Sequence, residues 1–511
     1  MRNRHLSHFS FLISHFALLL LLSTFLSVAI AAEESSETEK PFNPIEKNGE
    51  YFVGWQKPKL ALVFTGFQEG YLEPCGCAGM LEMKGGLSRR MSFFGTLNDM
   101  GWPVVAIDGG DLCNEKSGKQ SELKFHHTIE AFRKMGYDAI GLGMNDLAFS
   151  APELLAVTLE LSDVKSMFTA ANVAPFDFID THVAPYKIVE RNGVKLGIVS
   201  VVTKNQLNNI QDSAIVREDP LKRLREIIPK LDEAECQYLI MISHGTRGAV
   251  LRETEEILDV FPNKFSIVLV NDPPAEPPRR VPKMIGGCYV IEVGEKGKFA
   301  VVLGLFEGED APKYQSVALD SRYNNSPVIM DMMDSYQEHL KSLGPSGLNL
   351  KSFNNPKMAT MGNFIGSKEC ESCHDISYDV WKKTGHARAW KTLVETAQPA
   401  RNFDPDCVGC HAVGWNPPAM YPYDGGFDIG NQEKMRHLTD VGCESCHGPG
   451  ENHKKAELGS NKTKQAEMRK AVRLPLENAQ KNCILCHDGD NSPHFEFETY
   501  WPKIKHSETE E

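Results

Sequence analysis

Beyond its first thirty residues the 511-residue chain has no hydrophobic run long enough to cross a membrane, and nowhere a Gly-Lys-Ser/Thr phosphate loop or a heptad stretch. Once the N-terminal segment is removed, no membrane span is expected. The Gly85-Gly86 and Gly109-Gly110 turns are not nucleotide loops, because no Gly-Lys-Ser/Thr follows either. Basic residues are in deficit, with a net charge of −13. That argues against a nucleic-acid partner, which needs clustered Lys and Arg to neutralise phosphates. It suits basic protein partners or plain solubility. Neither an Arg-Arg pair nor a cleavage-site cysteine stands near the N-terminus, which excludes a twin-arginine route and lipidation.

What the N-terminus does have is a basic start (Arg2, Arg4, His5), the apolar run from Phe16 to Ile30 and a small-x-small site, Ala29-Ile30-Ala31, ahead of an acidic stretch. This pattern predicts a secretory signal over residues 1–31 and a periplasmic or otherwise exported protein, with an uncleaved anchor as the competing reading. An acidic linker, 32–50, follows.

Residues 51–310 carry short Val/Ile/Leu-rich runs at Leu60 to Phe64, Val104 to Ile107, Leu196 to Val202, Tyr238 to Ile242 and Ser266 to Val270. Such runs suit buried strands. Helical patterns lie between them, as at Phe125 to Met135 and Leu221 to Leu231, so the alternation predicts an α/β domain with a parallel or mixed sheet. Residues 311–361 read as a helical connector, with one amphipathic helix near Ser326 to Leu343 and then a polar Gly/Asn/Pro stretch. The last segment, 362–511, reads as mostly α and loop-rich.

That last segment holds four Cys-x-x-Cys-His motifs: Cys370/Cys373/His374, Cys407/Cys410/His411, Cys443/Cys446/His447 and Cys483/Cys486/His487. Two thiols so spaced add across the vinyl groups of one porphyrin, and the following His ligates its iron from the same side. Zinc sites do not require a His directly after the second Cys. Four covalent c-type haems are therefore expected. With so little aliphatic filler the porphyrins themselves must serve as core, and aromatic residues such as Trp381, Trp390, Trp415, Phe427 and Trp501 are expected against them. Five further histidines, His386, His437, His453, His494 and His506, are available as sixth ligands, while Met420, Met435 and Met468 are isolated.

The runs Cys370-Glu-Ser-Cys-His374, Trp381-Lys-Lys-Thr-Gly-His386-Ala-Arg-Ala and Gly442-Cys-Glu-Ser-Cys-His447-Gly-Pro-Gly450 with His453 carry a resemblance over about residues 364–507. The segment resembles the tetrahaem c-type cytochromes that accept electrons from hydroxylamine oxidoreductase. The resemblance implies that His386, His453 and a late His, His506 with His494 as competitor, are distal ligands from one motif's neighbourhood to another's iron. It also implies a five-coordinate iron at the second haem, that of His411. Bis-His ligation gives lower potentials than a His/Met pair.

The α/β part carries a second resemblance over about residues 58–307. Gly85-Gly-Leu-Ser-Arg-Arg90, Gly109-Gly-Asp111-Leu, Met135 to Gly143, Ala171-Asn-Val, Gly193 to Val199 and Ser243-His244-Gly follow in the order seen in calcineurin-type metallophosphoesterases of the periplasmic 5'-nucleotidase kind. That fold works with two metal ions bridged by a carboxylate. Asp111 stands at the bridging position and His244 matches a lone His ligand. The first Asp-x-His is gone at Thr65-Gly66-Phe67, Asn145 replaces the catalytic His in Gly143-Met-Asn-Asp146, and Asn271-Asp272 stands where Gly-His-x-His is expected. A dinuclear phosphatase is therefore not expected. Asp111, Asn145, Asp146 and His244 with Cys75 and Cys77 could hold one softer divalent ion; the favoured alternative is a disulfide from Cys75 or Cys77 to Cys113. Cys236 and Cys288 read as buried thiols or a second bridge.

Three functions compete: a tetrahaem electron carrier with redox proteins as donor and acceptor, a haem enzyme acting on a small nitrogen or sulfur species at an open iron, and a metal-dependent phosphoesterase with a redox module. The first accounts for most of the residues. Oligomeric state is not legible.

Overall fold

The computed structural model describes residues 42–76, 80–114, 118–159, 166–246, 248–271 and 278–506. The signal segment and Cys77 lie outside the described residues, and so do the linker's first residues. The chain to Lys47 is a unit of its own, and the second unit, from Asn48, holds both sheets and all four motifs. Among the described residues no helix is long and apolar enough to cross a membrane.

Two six-stranded mixed sheets build the α/β part. One runs β14 (Lys313–Ala318), β13 (Phe299–Leu305), β1 (Leu60–Thr65), β2 (Val104–Asp108), β3 (Ala139–Gly141), β4 (Phe168–Thr169). The other runs β11 (Lys283–Ile285), β12 (Cys288–Ile291), β10 (Ile267–Asn271), β9 (Tyr238–His244), β7 (Val194–Val202), β6 (Lys187–Arg191). A separate ladder pairs β5 (Val173–Pro175) with β8 (Ile215–Arg217). In β1 every residue from Leu60 to Thr65 is buried, so both faces of the strand are covered and the sequence reads as a continuous apolar run rather than an alternation. Leu60, Leu62 and Phe64 pack with Ile240, Ile242 and Leu269 of the other sheet, whereas Ala61 and Val63 face the helices Leu87–Asp99 and Lys119–Met135. Each such side chain, fully buried, contributes roughly 1.5–3 kcal/mol.

Helix boundaries follow local chemistry. Asp219 caps Pro220–Glu233 by accepting from Leu221 and Lys222 N–H, and Gly136, left-handed at φ 77°, ends Lys119–Met135.

The segment read as a connector departs from that expectation. Lys313–Ala318 pairs along β13 from Phe299↔Ala318 to Gly304↔Lys313. The following helix, Pro327–Gly347, buries Ile329, Met333, Tyr336 and Leu340 in the core shared with Phe93, Phe125 and Phe132. Residues 313–340 thus belong to the α/β core. Gly344 (φ 56°, ψ −174°) breaks that helix near its end.

Residues beyond about 355 form short helices and turns. Their one cluster of buried apolar side chains, Phe364, Leu393, Val408, Val413, Trp415, Phe427 and Leu438 among them, surrounds the second motif. The helices Asp375–Lys382 and Phe497–Tyr500, directly after the first motif and after the fourth, bury no residue.

Candidate haem-binding cluster and the carboxylate site between the sheets

Each Cys-x-x-Cys-His motif folds into about one helical turn. His374 N–H donates to Cys370 C=O at 3.0 Å and His487 N–H to Cys483 C=O at 2.9 Å, while Cys407–His411 ends the helix Pro405–His411 and Cys443–His447 is a helix of its own. Positions i, i+3 and i+4 of such a turn share a face, which puts both thiols and the imidazole on one side. The His411 ring is oriented by its Nδ1 against Ala389 C=O at 2.6 Å, and the His447 ring by Nδ1 against Val472 C=O at 2.8 Å. A backbone acceptor on Nδ1 leaves Nε2 to serve as a ligand.

Among the motif cysteines Cys373 stands apart. It is exposed, whereas the other seven motif cysteines, Cys370, Cys407, Cys410, Cys443, Cys446, Cys483 and Cys486, are half-buried. The reason is local. The first motif is a surface turn followed directly by the helix Asp375–Lys382, which buries no residue, and the Cys373 thiol lies 3.9 Å from the hydroxyl of its neighbour Ser372. The buried apolar cluster of this part gathers around the second motif instead and does not reach Cys373.

Three histidine pairs face each other across the motifs. His374 and His453 have ring centres 6.1 Å apart with planes at 25°, His447 and His506 6.1 Å at 29°, and His386 and His487 6.0 Å at 47°. Two imidazoles bound through ring nitrogens at about 2 Å on opposite sides of one metal ion have ring centres roughly 6 Å apart. The donor set and its spacing therefore fit a haem iron between each pair. Burial holds His386 down to about 4, with the nearby His487 adding to it, so its ring is neutral and able to ligate. His494 instead pairs with Glu82 of the α/β part, and His437 lines a shallow surface hollow with Glu369 and Lys454.

The motifs adjoin one another. The Cys370 thiol lies near that of Cys443, and the Cys410 thiol near that of Cys486, so the first motif lies beside the third and the second beside the fourth.

Between the sheets, at the carboxyl ends of parallel strands, lies the second candidate site. Asp111, in the left-handed region at φ 53°, accepts from Asn145 N–H on Oδ1 at 2.8 Å and from Asn271 Nδ2 on Oδ2 at 2.5 Å. Asn271 Nδ2 also lies 3.1 Å from His244 Nδ1. Asp146 accepts from Asp111, Leu112 and Gly143 N–H at 2.8, 2.8 and 3.0 Å. Burial raises the Asp146 carboxyl to about 6 and holds His244 down to about 3; Asp111 is raised by burial and then by Asp146. Amide and backbone N–H groups thus occupy the carboxylate lone pairs that a metal ion takes in a dinuclear site.

Of the candidate set, the described residues Asp111, Asp146, His244 and Cys75 form no group placed to hold a metal ion together. Among the described residues no three His, Cys, Asp or Glu side chains are placed to hold a metal ion. Cys75 is disulfide-bonded and so is no thiolate, and Cys77 lies outside the described residues. The expected partner Cys113 is a free buried thiol bonded to Asn145 C=O at 3.1 Å, which corrects the bridge to Cys113. Cys236 and Cys288 are free as well.

Sequence reasoning missed the seam between the two parts. Gln120 and Gln337 donate to Asp404 at 2.8 and 3.1 Å, Lys124 pairs with Asp406, Lys296 and Lys298 pair with Asp490, and Arg401 donates to Pro74 C=O at 3.0 Å. Burial acts to raise the Asp490 carboxyl, and the two lysines outweigh it and hold it low. These residues flank the second and fourth motifs, and no spacing rule marks them.

Residues 369–448 match the family model of cytochrome c554 and c-prime. Cytochrome c-554 of Nitrosomonas europaea is 34% identical over 148 residues, 25% of this chain and 60% of the relative, so the chain spans about three-fifths of the length of the curated relative it matches. The C-terminal part is thus a cytochrome c554 domain. Solved structures of similar shape include a 5'-nucleotidase precursor from Thermus thermophilus (18% identity, TM-score 0.46, 56% of this chain and 59% of that one). The Thermus thermophilus sulfate thiohydrolase SoxB (12%, TM-score 0.45, 57% and 62%) and the calcineurin-like phosphoesterase YfkN from Bacillus subtilis (16%, TM-score 0.39, 55% and 97%) are others.

Proposed function

We propose that this chain is an exported tetrahaem c-type cytochrome that moves electrons at low potential between redox proteins, with an α/β domain that docks or braces it and hydrolyses no phosphate ester. The observation that carries the reading is the trio of histidine pairs, 374/453, 386/487 and 447/506, each with ring centres about 6 Å apart.

The residues that would hold the haems are the four Cys-x-x-Cys-His sets, with His453, His506 and His386 opposite His374, His447 and His487. When bound, haem supplies a reversible one-electron couple. The chain's own part is to fix ligand type, orientation and contact order. Two neutral imidazoles favour the ferric state, and the carbonyls of Ala389 and Val472 hold His411 and His447 in one tautomer. Haems attached at motifs this close would exchange electrons without a diffusing carrier. The α/β reading rests on Asn145 and Asn271, whose N–H groups satisfy Asp111 in place of metal-binding imidazoles.

The test is a potentiometric titration of the purified haem protein with haem content measured on the same sample. Four haems per chain with most couples below 0 mV support the proposal. Fewer haems, or couples in the range of His/Met cytochromes, count against it. Phosphate release from nucleotides in added Mn²⁺ or Zn²⁺ stays at background if the α/β reading holds.

A further inference from the structure

The helix that carries the second motif, Pro405–His411, is held at its start by the α/β part. Its cap, Asp404, is buried. On Oδ1 it accepts from Gln120 Nε2 at 2.8 Å and from Asp406 N–H at 3.1 Å, and on Oδ2 from Gln337 Nε2 at 3.1 Å. Asp404 C=O accepts in turn from Cys407 N–H at 3.0 Å and from Val408 N–H at 2.9 Å. The other carboxylate of this turn, Asp406, pairs with Lys124, which is buried. Gln120 and Lys124 stand one turn apart on Lys119–Met135, and Gln337 lies on Pro327–Gly347, both helices of the α/β core. Neutral amides thus hold Asp404, while Asp406 meets a full positive charge. Burial acts to strip the Lys124 proton, and Asp406 and Asp404 outweigh it, so the ammonium persists. Asp404, Arg401, Asp406 and Lys124 all act electrostatically on the Cys407 sulfur, the atom through which the second haem would be attached.

We propose that Lys124 is a positioning residue for the second haem: from the α/β part its ammonium offsets Asp404 and Asp406 and raises the reduction potential at Cys407, Cys410 and His411. This rests on the haem assignment above. The step it tunes is the uptake of one electron by ferric haem from a redox protein, with no bond made or broken. Ferric haem carries one more positive charge than ferrous, so nearby carboxylates favour the oxidised form and a nearby cation disfavours it. The α/β part therefore sets the energy of a redox centre as well as bracing it. Because the pair is buried, salt screens it little.

The experiment uses the full haem-loaded chain, with its haem content measured first, and resolves the couples by potentiometric titration. Lys124→Met is expected to lower one couple of the four by about 59 mV, a tenfold change in a one-electron equilibrium, and to leave the other three in place. The shift should persist in high salt, and Lys124→Arg should restore the parent value. Asp406→Asn removes the opposite charge and should raise the same couple, while Lys124→Met/Asp406→Asn brings it back towards the parent. A seam that is merely loosened moves the couple in the same direction in both single variants. That result overturns the proposal, as do four unmoved couples or four that shift together. Where Lys124→Met yields no folded haem protein, Asp406→Asn decides by sign, and an unmoved or lowered couple overturns the proposal. Each of these failures leaves the cytochrome reading intact. A parent chain with fewer than four haems, or with couples in the range of His/Met cytochromes, overturns that reading instead.

Discussion

The α/β part and the cytochrome part hold themselves together by opposite means. In the first, strands such as β1, β9 and β10 are buried along nearly their whole length and two apolar layers close over them. At its candidate site the Asp111 carboxylate is satisfied by Asn145 N–H and the Asn271 amide. In the second, the clustered apolar burial gathers around the second motif, while the histidines converge in facing pairs. One part is held by apolar layers between and over its sheets, and the other gathers paired imidazoles with little apolar filler around them. The seam of Lys124, Lys296, Lys298 and Arg401 against Asp406, Asp490 and Pro74 joins them.

The sharpest way to break this contrast is to make the chain without haem. Amide hydrogen exchange is then expected to show residues 364–506 far less protected than β1, β2, β7 and β9, because the sheets carry the larger apolar cores and the cytochrome part a single small one. Equal protection in both parts would erase the difference. Phe64→Ala, near the end of β1, is expected to cost about 3–5 kcal/mol in denaturant unfolding of the α/β part. The same measurement on Asn271→Ala should lose about 1–3 kcal/mol, since the Asp111 carboxylate is left buried without its amide donor. A gain in stability would mean that Asn271 is dispensable there.

The smallest effect is a pH dependence. His127, against Tyr336 and His339, is held down to about 4 by burial and then by the neighbouring His339. Between about 6.5 and 4 the unfolded chain binds a proton that the folded one refuses, so stability falls as pH falls through that window. His127→Gln should flatten this part of the Tm profile relative to the parent chain, and an unchanged slope would remove His127 from the account.

Much of this architecture was legible in the sequence. Buried strands announce themselves as unbroken Val/Ile/Leu runs, and β1, β2, β7, β9 and β10 lie within two residues of where those runs place them. The strand Lys313–Ala318 escaped because four of its six residues are only half-buried, and its place depends on pairing with β13 rather than on local pattern. The four Cys-x-x-Cys-His motifs stood out by spacing, but spacing says nothing of depth, and Cys373 stands exposed on its turn while its seven counterparts are half-buried. The face-to-face pairing of specific histidines was suggested by resemblance alone, since no local rule says which of five spare rings meets which motif. Cys113 shows the same limit: two residues after Asp111 it looked ready to bridge, yet its thiol turns to Asn145 C=O.

The account's central claim is that three iron sites sit between paired imidazoles. The direct test is the low-temperature electron paramagnetic resonance spectrum of the oxidised haem protein, integrated against total haem. The account predicts low-spin ferric intensity equal to at least three haems per chain, lost one haem at a time in His453→Ala and His506→Ala. Low-spin intensity below three haems in the parent protein, or no change in either variant, would contradict it.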